Sequence, residues 1–334
     1  MDKIYLIDGS SMLSTHYYGH IPAAYFFAKT NEEKEKVMRE QATQTKDGII
    51  TNAVFGMTRE IIKIIKDQKP QYLAVCWDVS RATFRRDIYP EYKAHREETG
   101  NSLSSQFGLM QEVLEHMGIP SFKLDGFEAD DLIGTIATEM SKENEVIILT
   151  KDQDALQLIN KNTIVWLNSK NAAKMLEETK DIESEKRDSP KKYFPFTEKT
   201  FEHFYKLKPK QIIDFKALSG DKSDGIPGVT GFGPKGITPL LNYFGTVEDS
   251  FNYILKEDKK TIVETFKNAK IKRIDTDKLM EYQKQIIMSK KLATIDCYIE
   301  EYKNKEKEQY KININKDKTI EIFEKLEFQS LLKK

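Results

Sequence analysis

The densest chemistry in this chain lies in Asp125-Gly-Phe-Glu-Ala-Asp-Asp131, where Glu128, Asp130 and Asp131 fall within four consecutive positions. A short apolar run, Ile119 to Leu124, precedes them, and Leu132, Ile133, Ile136, Ala137 and Met140 follow at helical spacing. The acids therefore stand where a strand gives way to a helix. Like charges this close raise one another's pKa and cost stability unless something positive sits among them. A hard divalent cation held by oxygen ligands is one such partner. A solvated helix start, where Asp and Glu suit the dipole, is the plainer alternative.

Acids elsewhere shift that balance. Asp8 follows the strand-like run Lys3 to Ile7, Asp78 follows Tyr72 to Trp77, and Asp152 and Asp154 follow Glu145 to Leu149. Thr163 to Leu167 is a further strand. Helical patterns lie between, in Ile50 to Lys66 and from Leu109 to Met117. Strands alternating with helices predict an α/β fold with a mainly parallel central sheet flanked by helices. In such sheets ligands bind beyond the carboxyl ends of the strands. Separate segments thus deliver Asp8, Asp78, Glu128 and Asp152 to one edge, joined by Asp130, Asp131 and Asp154. One acid after a strand is an ordinary turn residue or cap; the repetition is what favours a shared site.

Composition bounds the partners. The chain has 334 residues, 39% hydrophobic, with 53 basic residues against 53 acidic. A net charge of zero does not advertise nucleic-acid binding, so any polyanionic partner requires segregated positive charge. Ser80 to Glu98 supplies it: Arg81, Arg85, Arg86, Lys93 and Arg96 alternate with Phe84, Tyr89 and Tyr92. A solvated charged helix is the ordinary reading of such a run, but interleaved aromatics add stacking surfaces suited to nucleic acid. The two cysteines, Cys76 and Cys297, lack metal spacing and fit a reducing cytosol. The N-terminus shows no signal-peptide pattern, no apolar stretch approaches the ~20 residues of a membrane helix, and a cytoplasmic location is expected.

Residues 19–46 contain a charged helix or insertion, and 169–192 are polar and linker-like. Beyond them Phe201, Phe204, Tyr205, Ile212, Ile213, Phe215 and Leu218 give helical apolar faces. The glycine-rich stretch Ser219 to Lys235 follows. Gly225, Gly228, Gly231 and Gly233 permit tight turns, and Pro234 suits the first turn of a helix. Backbone N–H groups aimed outward there form a phosphate cradle, with Lys235 adding charge; an ordinary interhelical loop is the alternative. Asp221 and Asp224 can reach back to the acidic edge. Val247 to Lys334 is helical and Lys-rich, with Tyr298 to Tyr302 a strand or extended crossing segment. The five histidines have neither metal-ligand nor triad spacing.

Taken together, Ile7-Asp-Gly-Ser-Ser11, Asp78, the Phe84-Arg-Arg to Arg96 segment, Gly126-Phe-Glu-Ala-Asp-Asp131, Thr150-Lys-Asp-Gln-Asp154 and Gly220-Asp-Lys-Ser-Asp-Gly-Ile-Pro-Gly resemble the 5′ nuclease (flap endonuclease) superfamily. The chain is most similar to the 5′→3′ exonuclease domain of bacterial DNA polymerase I. Leu292-Ala-Thr-Ile295 and Leu326-Glu-Phe328 extend the match over nearly the whole chain. The resemblance implies a PIN-like core at 1–168 with a helical arch at about 80–106, an insertion at 169–192, and a helical helix-turn-helix DNA-binding region at 193–334. It implies two Mg²⁺ or Mn²⁺ ions per site on Asp8, Asp78, Glu128, Asp130, Asp131, Asp152, Asp154, Asp221 and Asp224. Lys93 and Arg96 would meet the scissile phosphate. Arg81, Phe84, Arg85, Arg86, Tyr89, Tyr92 and the turn Gly225–Lys235 would bind DNA, with a potassium ion on backbone carbonyls of that turn.

The expected substrate is a 5′ end or flap beside duplex DNA, with RNA-primed DNA a further expectation. The protein would be a monomer, with any gap-filling polymerase a separate protein. Three departures stand out: Thr15 replaces a basic residue of the first motif, Gly225 replaces an Asn, and Gly-Pro-Lys-Gly-Ile replaces Gly-Glu-Lys-Thr-Ala after the turn. Two rivals stay open, a non-catalytic DNA-binding paralogue and a ribonuclease-like primer-removing enzyme on the same core.

Overall fold

The computed structural model describes residues 1–96, 99–182 and 188–332. Its strands are β1 (Lys3–Asp8), β2 (Tyr72–Trp77), β3 (Ser121–Lys123), β4 (Glu145–Thr150), β5 (Thr163–Asn168) and β6 (Tyr193–Phe196). They form one sheet in the order β3-β2-β1-β4-β5-β6. All pairings are parallel except β5 with β6. The chain moves outward on one side of β1, then returns to lay β4 on its other side. The gap between β1 and β4 is thus a topological switch point, where the loops leaving the two strands splay apart and open a crevice.

Both faces of the sheet are covered, so its strands read as continuous apolar runs. Side chains alternate: Ile4 and Leu6 enter one core, Tyr5 and Ile7 the other. The second core is closed by α1 (Gly9–Gly19), α2 (Asn31–Gln41), α3 (Asn52–Gln68) and, after the short α4 (Phe84–Ile88), α5 (Asn101–Met117). The first is closed by α6 (Ala129–Met140), which buries Leu132, Ile133, Ile136, Ala137 and Met140. Burial of each large side chain there contributes roughly 1.5–3 kcal/mol. That anchor holds the acidic start of α6 in place.

The linker-like stretch contains α7 (Ala172–Glu178); its residues 183–187 lie outside the described ones. Then come α8 (Glu198–Tyr205), α9 (Gln211–Ser219), α10 (Pro234–Phe244), α11 (Val247–Lys256), α12 (Lys259–Asn268), α13 (Thr276–Glu281), α14 (Gln283–Ala293), α15 (Lys316–Lys325) and α16 (Gln329–Leu332). Among the described residues no helix is long and apolar enough to cross a membrane.

Three expectations need correction. A boundary at 193 cuts the sheet, because β6 pairs with β5 and its aromatic side chains enter the cores. The chain's end also returns to the core: Ile312 N–H donates to Gln71 O at 3.1 Å, and Phe323, Leu326 and Phe328 pack in the second core. Second, residues 101–106 are not part of an arch. They open α5, where Leu103 and Gln106 are buried. Third, of the two alternatives for residues 298–302 the strand is absent: Tyr298 and Ile299 continue an irregular segment that crosses α6, where Ile299 N–H donates to Thr135 Oγ1, and Glu300–Tyr302 is a single 3-10 turn. Helix α2 is tied down as well, since Met38 is buried and Glu35 accepts from the Ser102 N–H.

Candidate active site at the carboxyl edge of the sheet

Asp8 ends β1 and caps α1, accepting from Ser11 N–H at 2.9 Å and from Thr150 Oγ1 at 2.8 Å. Asp78 follows β2; its N–H donates to Ser10 Oγ at 3.0 Å and its carboxylate accepts from Ala129 N–H at 2.8 Å. Asp152 follows β4, its N–H held by Thr150 Oγ1. Asp130 stands in the first turn of α6, and its carboxylate has no hydrogen bond or ion pair to any described residue. These acids act on one another. Burial, then the charge of Asp78, pushes Asp8 up to about 7, against the Ser11 and Thr150 hydrogen bonds and with a further push from Asp152. Burial and the charges of Asp152, Asp8 and Asp78 hold Asp130 well above the ordinary carboxylate range. Burial raises Asp152 too. Lys216, Lys93 and Arg96 offset part of that on Asp152, and Lys93 part of it on Asp130; crowded carboxylates of this kind, oxygen donors alone, suit hard divalent cations such as Mg²⁺ or Mn²⁺.

Asp131 is placed differently. It is 0% exposed, and both of its oxygens are engaged by Arg85, at 2.6 and 2.7 Å. The same oxygens accept from the N–H groups of Asp296 and Glu128 at 2.8 and 3.0 Å. Arg85, only 2% exposed, also donates to the carbonyls of Leu292 and Thr294. Arg85 is therefore withdrawn from the DNA-facing set, and Asp131 from the open acids: the pair fastens α4 to α6 and to the end of α14.

The basic segment after α4 is folded down onto the acids rather than raised over them. Tyr92 is 3% exposed, and its hydroxyl lies 3.2 Å from Asp224 and 3.3 Å from Glu128. Tyr89 packs beside it against Ile226 and Leu292. The Tyr92 ring is thus closed to stacking, while Tyr89 stays partly exposed. Phe84 is half-buried against Phe127, and Arg86 donates to Tyr92 O. Arg81 stays exposed and donates to Arg96 O. Lys93 takes a left-handed backbone conformation (φ 54°), and its N–H donates to Asp224 O at 2.8 Å.

Asp221 and Asp224 do reach back to the edge. They sit on a hairpin after α9, closed by reciprocal bonds between Asp221 and Ile226 at 2.8 and 2.9 Å. Gly220 and Gly225 supply its positive φ angles of 74° and 71°. Two lysines bridge this hairpin to the core. Lys93 Nζ contacts Glu128 at 2.8 Å and Asp224 at 3.7 Å. Lys216 Nζ contacts Asp154 and, at 2.7 Å, Asp221. Arg96 Nη2 adds a 2.6 Å bond to Asp224. Burial works against the charge on Asp221, but bonds from Lys216 and Ser223 win and hold it down at about 2. Among the described residues no three acidic, His or Cys side chains converge tightly enough to hold an ion in this arrangement, and ammonium or guanidinium groups are paired with Glu128, Asp154, Asp221 and Asp224.

The glycine turn continues from the hairpin. Gly228 lies against the α9 end, where a Cβ would meet Gly220 N at 2.3 Å. Gly231 has φ 92° with open space beside it. Gly233 is the N-cap of α10 and makes no side-chain cap bond, with Pro234 following and Lys235 exposed. The Thr230 carbonyl, on the turn expected to hold potassium, accepts Lys278 Nζ at 2.5 Å. Thr15 lines a small pocket with Ser11, His16 and Lys151, so Lys151 brings a cation beside the motif position that lost one. Sequence reading missed Lys216 altogether. It is one Lys among many, and only the packing of α9 on the 3-10 turn Asp154–Leu158 brings it to the acids.

A switch-point edge of acids joined by a hairpin between α9 and α10 is the arrangement expected of a 5′ nuclease core, and the family matches agree with it. Residues 3–186 match the 5′-3′ exonuclease N-terminal resolvase-like domain, and residues 207–316 match the 5′-3′ exonuclease C-terminal SAM fold. The chain belongs to the 5′–3′ exonuclease family. DNA polymerase I of Bacillus caldotenax is 34% identical over 343 residues, which is 99% of this chain and 32% of that protein. A 5′-3′ exonuclease of Halalkalibacterium halodurans is 32% identical over 298 residues, covering 88% of this chain and 84% of the relative. The chain thus spans about a third of the DNA polymerase I relatives it matches. In fold it is similar to the T5 5′-exonuclease with bound zinc (TM-score 0.59, 16% identity, 98% of each chain). It is also similar to the catalytic core of Rad2 with DNA substrate (TM-score 0.52, 15% identity, 97% of this chain and 87% of that one).

Proposed function

We propose that this protein hydrolyses phosphodiester bonds at 5′ ends or flaps of DNA beside duplex, with two divalent ions, Mg²⁺ or Mn²⁺. The observation that carries this reading is the arrival of Asp8, Asp78, Asp130 and Asp152 from separate elements at one crevice, where burial and mutual repulsion outweigh the nearby cations and raise Asp8, Asp130 and Asp152. Asp8, Asp78, Glu128 and Asp130 would hold one ion, and Asp152, Asp154 and Asp221 the other. When bound, such ions lower the pKa of water and stabilise the attacking and leaving oxygens of an in-line displacement.

The chain's own residues do the rest. Lys93 and Arg96, paired here with Glu128 and Asp224, would balance charge gathering on a phosphate at the crevice. Asp224 orients both cations. The N–H groups at the start of α10, with Lys235, would grip the duplex backbone without reading sequence. Recognition of shape in place of base order follows from that division.

The test is a 5′-end-labelled flap duplex incubated with Mg²⁺, Mn²⁺ or EDTA. Metal-dependent release of a short 5′ fragment is expected; tight binding without cleavage in either metal would leave a DNA-binding paralogue instead. A parallel arm with RNA in the flap reports whether RNA-primed DNA is also cut.

A further inference from the structure

Lys216 has no place in the proposed chemistry, yet its ammonium lies in the middle of the acidic edge. Its Nζ reaches Asp154, which follows β4, and Asp221, on the hairpin after α9. Asp221 is held from its other side by Ser223, whose N–H and Oγ donate at 2.8 and 2.6 Å. Lys216 itself is half-buried on a regular helix, so its position is set by α9 and not by a mobile loop. One cationic side chain therefore joins two carboxylates that arrive from different parts of the fold. Lys93 repeats the pattern on the other acids, joining Glu128 to Asp224, but Lys93 has a role at the phosphate and Lys216 has none.

We propose that Lys216 is a built-in counter-ion for the second half of the acidic site, holding Asp154 and Asp221 together until a divalent cation displaces it. The inference rests on the two-ion reading above. The physical reason is charge economy. Two carboxylates brought together from separate elements repel each other, and a monovalent cation anchored on a helix relieves that without demanding dehydration of a free ion. A divalent ion satisfies the same oxygens with twice the charge, so the two cations compete for one place. The second ion then binds more weakly than the first because two of its ligands, Asp154 and Asp221, must give up an ammonium that the fold itself supplies, whereas among the first ion's ligands only Glu128 is ion-paired to a described residue. The hairpin is kept in register in the meantime, so ion binding completes the site without having to assemble it.

The test is a Mn²⁺ titration of the intact, EDTA-stripped chain without DNA, read by electron paramagnetic resonance. The wild type is compared with Lys216→Met, Lys216→Gln and Lys216→Arg. Wild type should show one tighter and one weaker ion. Lys216→Met and Lys216→Gln should tighten the weaker ion by about tenfold or more, and Lys216→Arg, which keeps the charge, should not. Amide exchange in the Asp221–Ile226 hairpin provides a second readout. Protection should fall in Lys216→Met without metal and return when Mn²⁺ is added. A purely structural lysine predicts the opposite, weaker ion binding in all three variants, and that result would overturn the proposal. Unchanged affinity across all four proteins would overturn it too while leaving the two-ion reading intact. Absence of Mn²⁺ binding in every form would remove both.

Discussion

Arg85 and Asp131 meet in a two-pronged buried ion pair, Nη1 donating to Oδ2 at 2.7 Å and Nη2 to Oδ1 at 2.6 Å. Neither side chain reaches solvent, and Arg85 continues to the carbonyls of Leu292 and Thr294. Breaking one partner leaves an uncompensated buried charge. Arg85→Met or Asp131→Asn should each cost about 3–5 kcal/mol in urea denaturation. The double variant Arg85→Met/Asp131→Asn should cost clearly less than their sum. Additive losses would mean that the two side chains do not act as a pair.

Asp130 shows the reverse relationship between stability and activity. Among the described residues its carboxylate has no hydrogen-bonding partner, and it is opposed by Asp152, Asp8 and Asp78. Asp130→Asn removes one of four repelling charges, so the metal-free variant should be more stable than wild type by about 1 kcal/mol. Cleavage of the flap duplex should vanish. A variant that is less stable and still active would remove Asp130 from the site.

The raised pKa of Asp8 fixes a sign for pH dependence. A carboxyl that titrates at about 7 when folded and near its ordinary 3.8 when unfolded keeps its proton longer in the folded state. Its ionisation opposes folding, so the Asp8 contribution to stability falls as pH rises between those two values. In EDTA, wild type should lose stability relative to Asp8→Asn over that window, by on the order of a few kcal/mol. Saturating Mg²⁺ should abolish or reverse the trend. Parallel pH curves for the two proteins in EDTA would contradict this.

The glycines of the turn separate into two kinds. A Cβ at Gly228 would meet backbone atoms of Ser219 and Gly220 at 2.3 Å, so Gly228→Ala must move the hairpin that carries Asp221 and Asp224. Its activity and thermal midpoint should fall together. Gly231 has room for a Cβ but a φ of 92°, so Gly231→Ala should cost about 1 kcal/mol through backbone strain alone. Duplex affinity measured in a metal-free buffer distinguishes them: it should weaken far more for Gly228→Ala.

Much of this architecture follows from short-range pattern. Apolar runs ending in Asp8, Asp78 and Asp152, with helical spacing between them, require a parallel sheet whose acids share one edge, because crossover connections send every strand the same way. The glycines and prolines of 225–239 likewise mark the turn and the start of α10 by local backbone preference. Which charge meets which was decided elsewhere. Arg85 and Arg86 are adjacent in sequence and alike in type, yet one is buried on Asp131 and the other lies at the half-exposed rim on Tyr92 O. Tyr92 was legible as an aromatic beside basic residues, but not as a buried donor to acids from two distant segments. Lys216 carried no local signal at all. Sequence periodicity determined the sheet and the edge to which its acids come, since backbone geometry repeats every few residues. Only tertiary packing decided which of those acids stay open and which are neutralised from within, since ion pairing depends on side chains brought together across the fold.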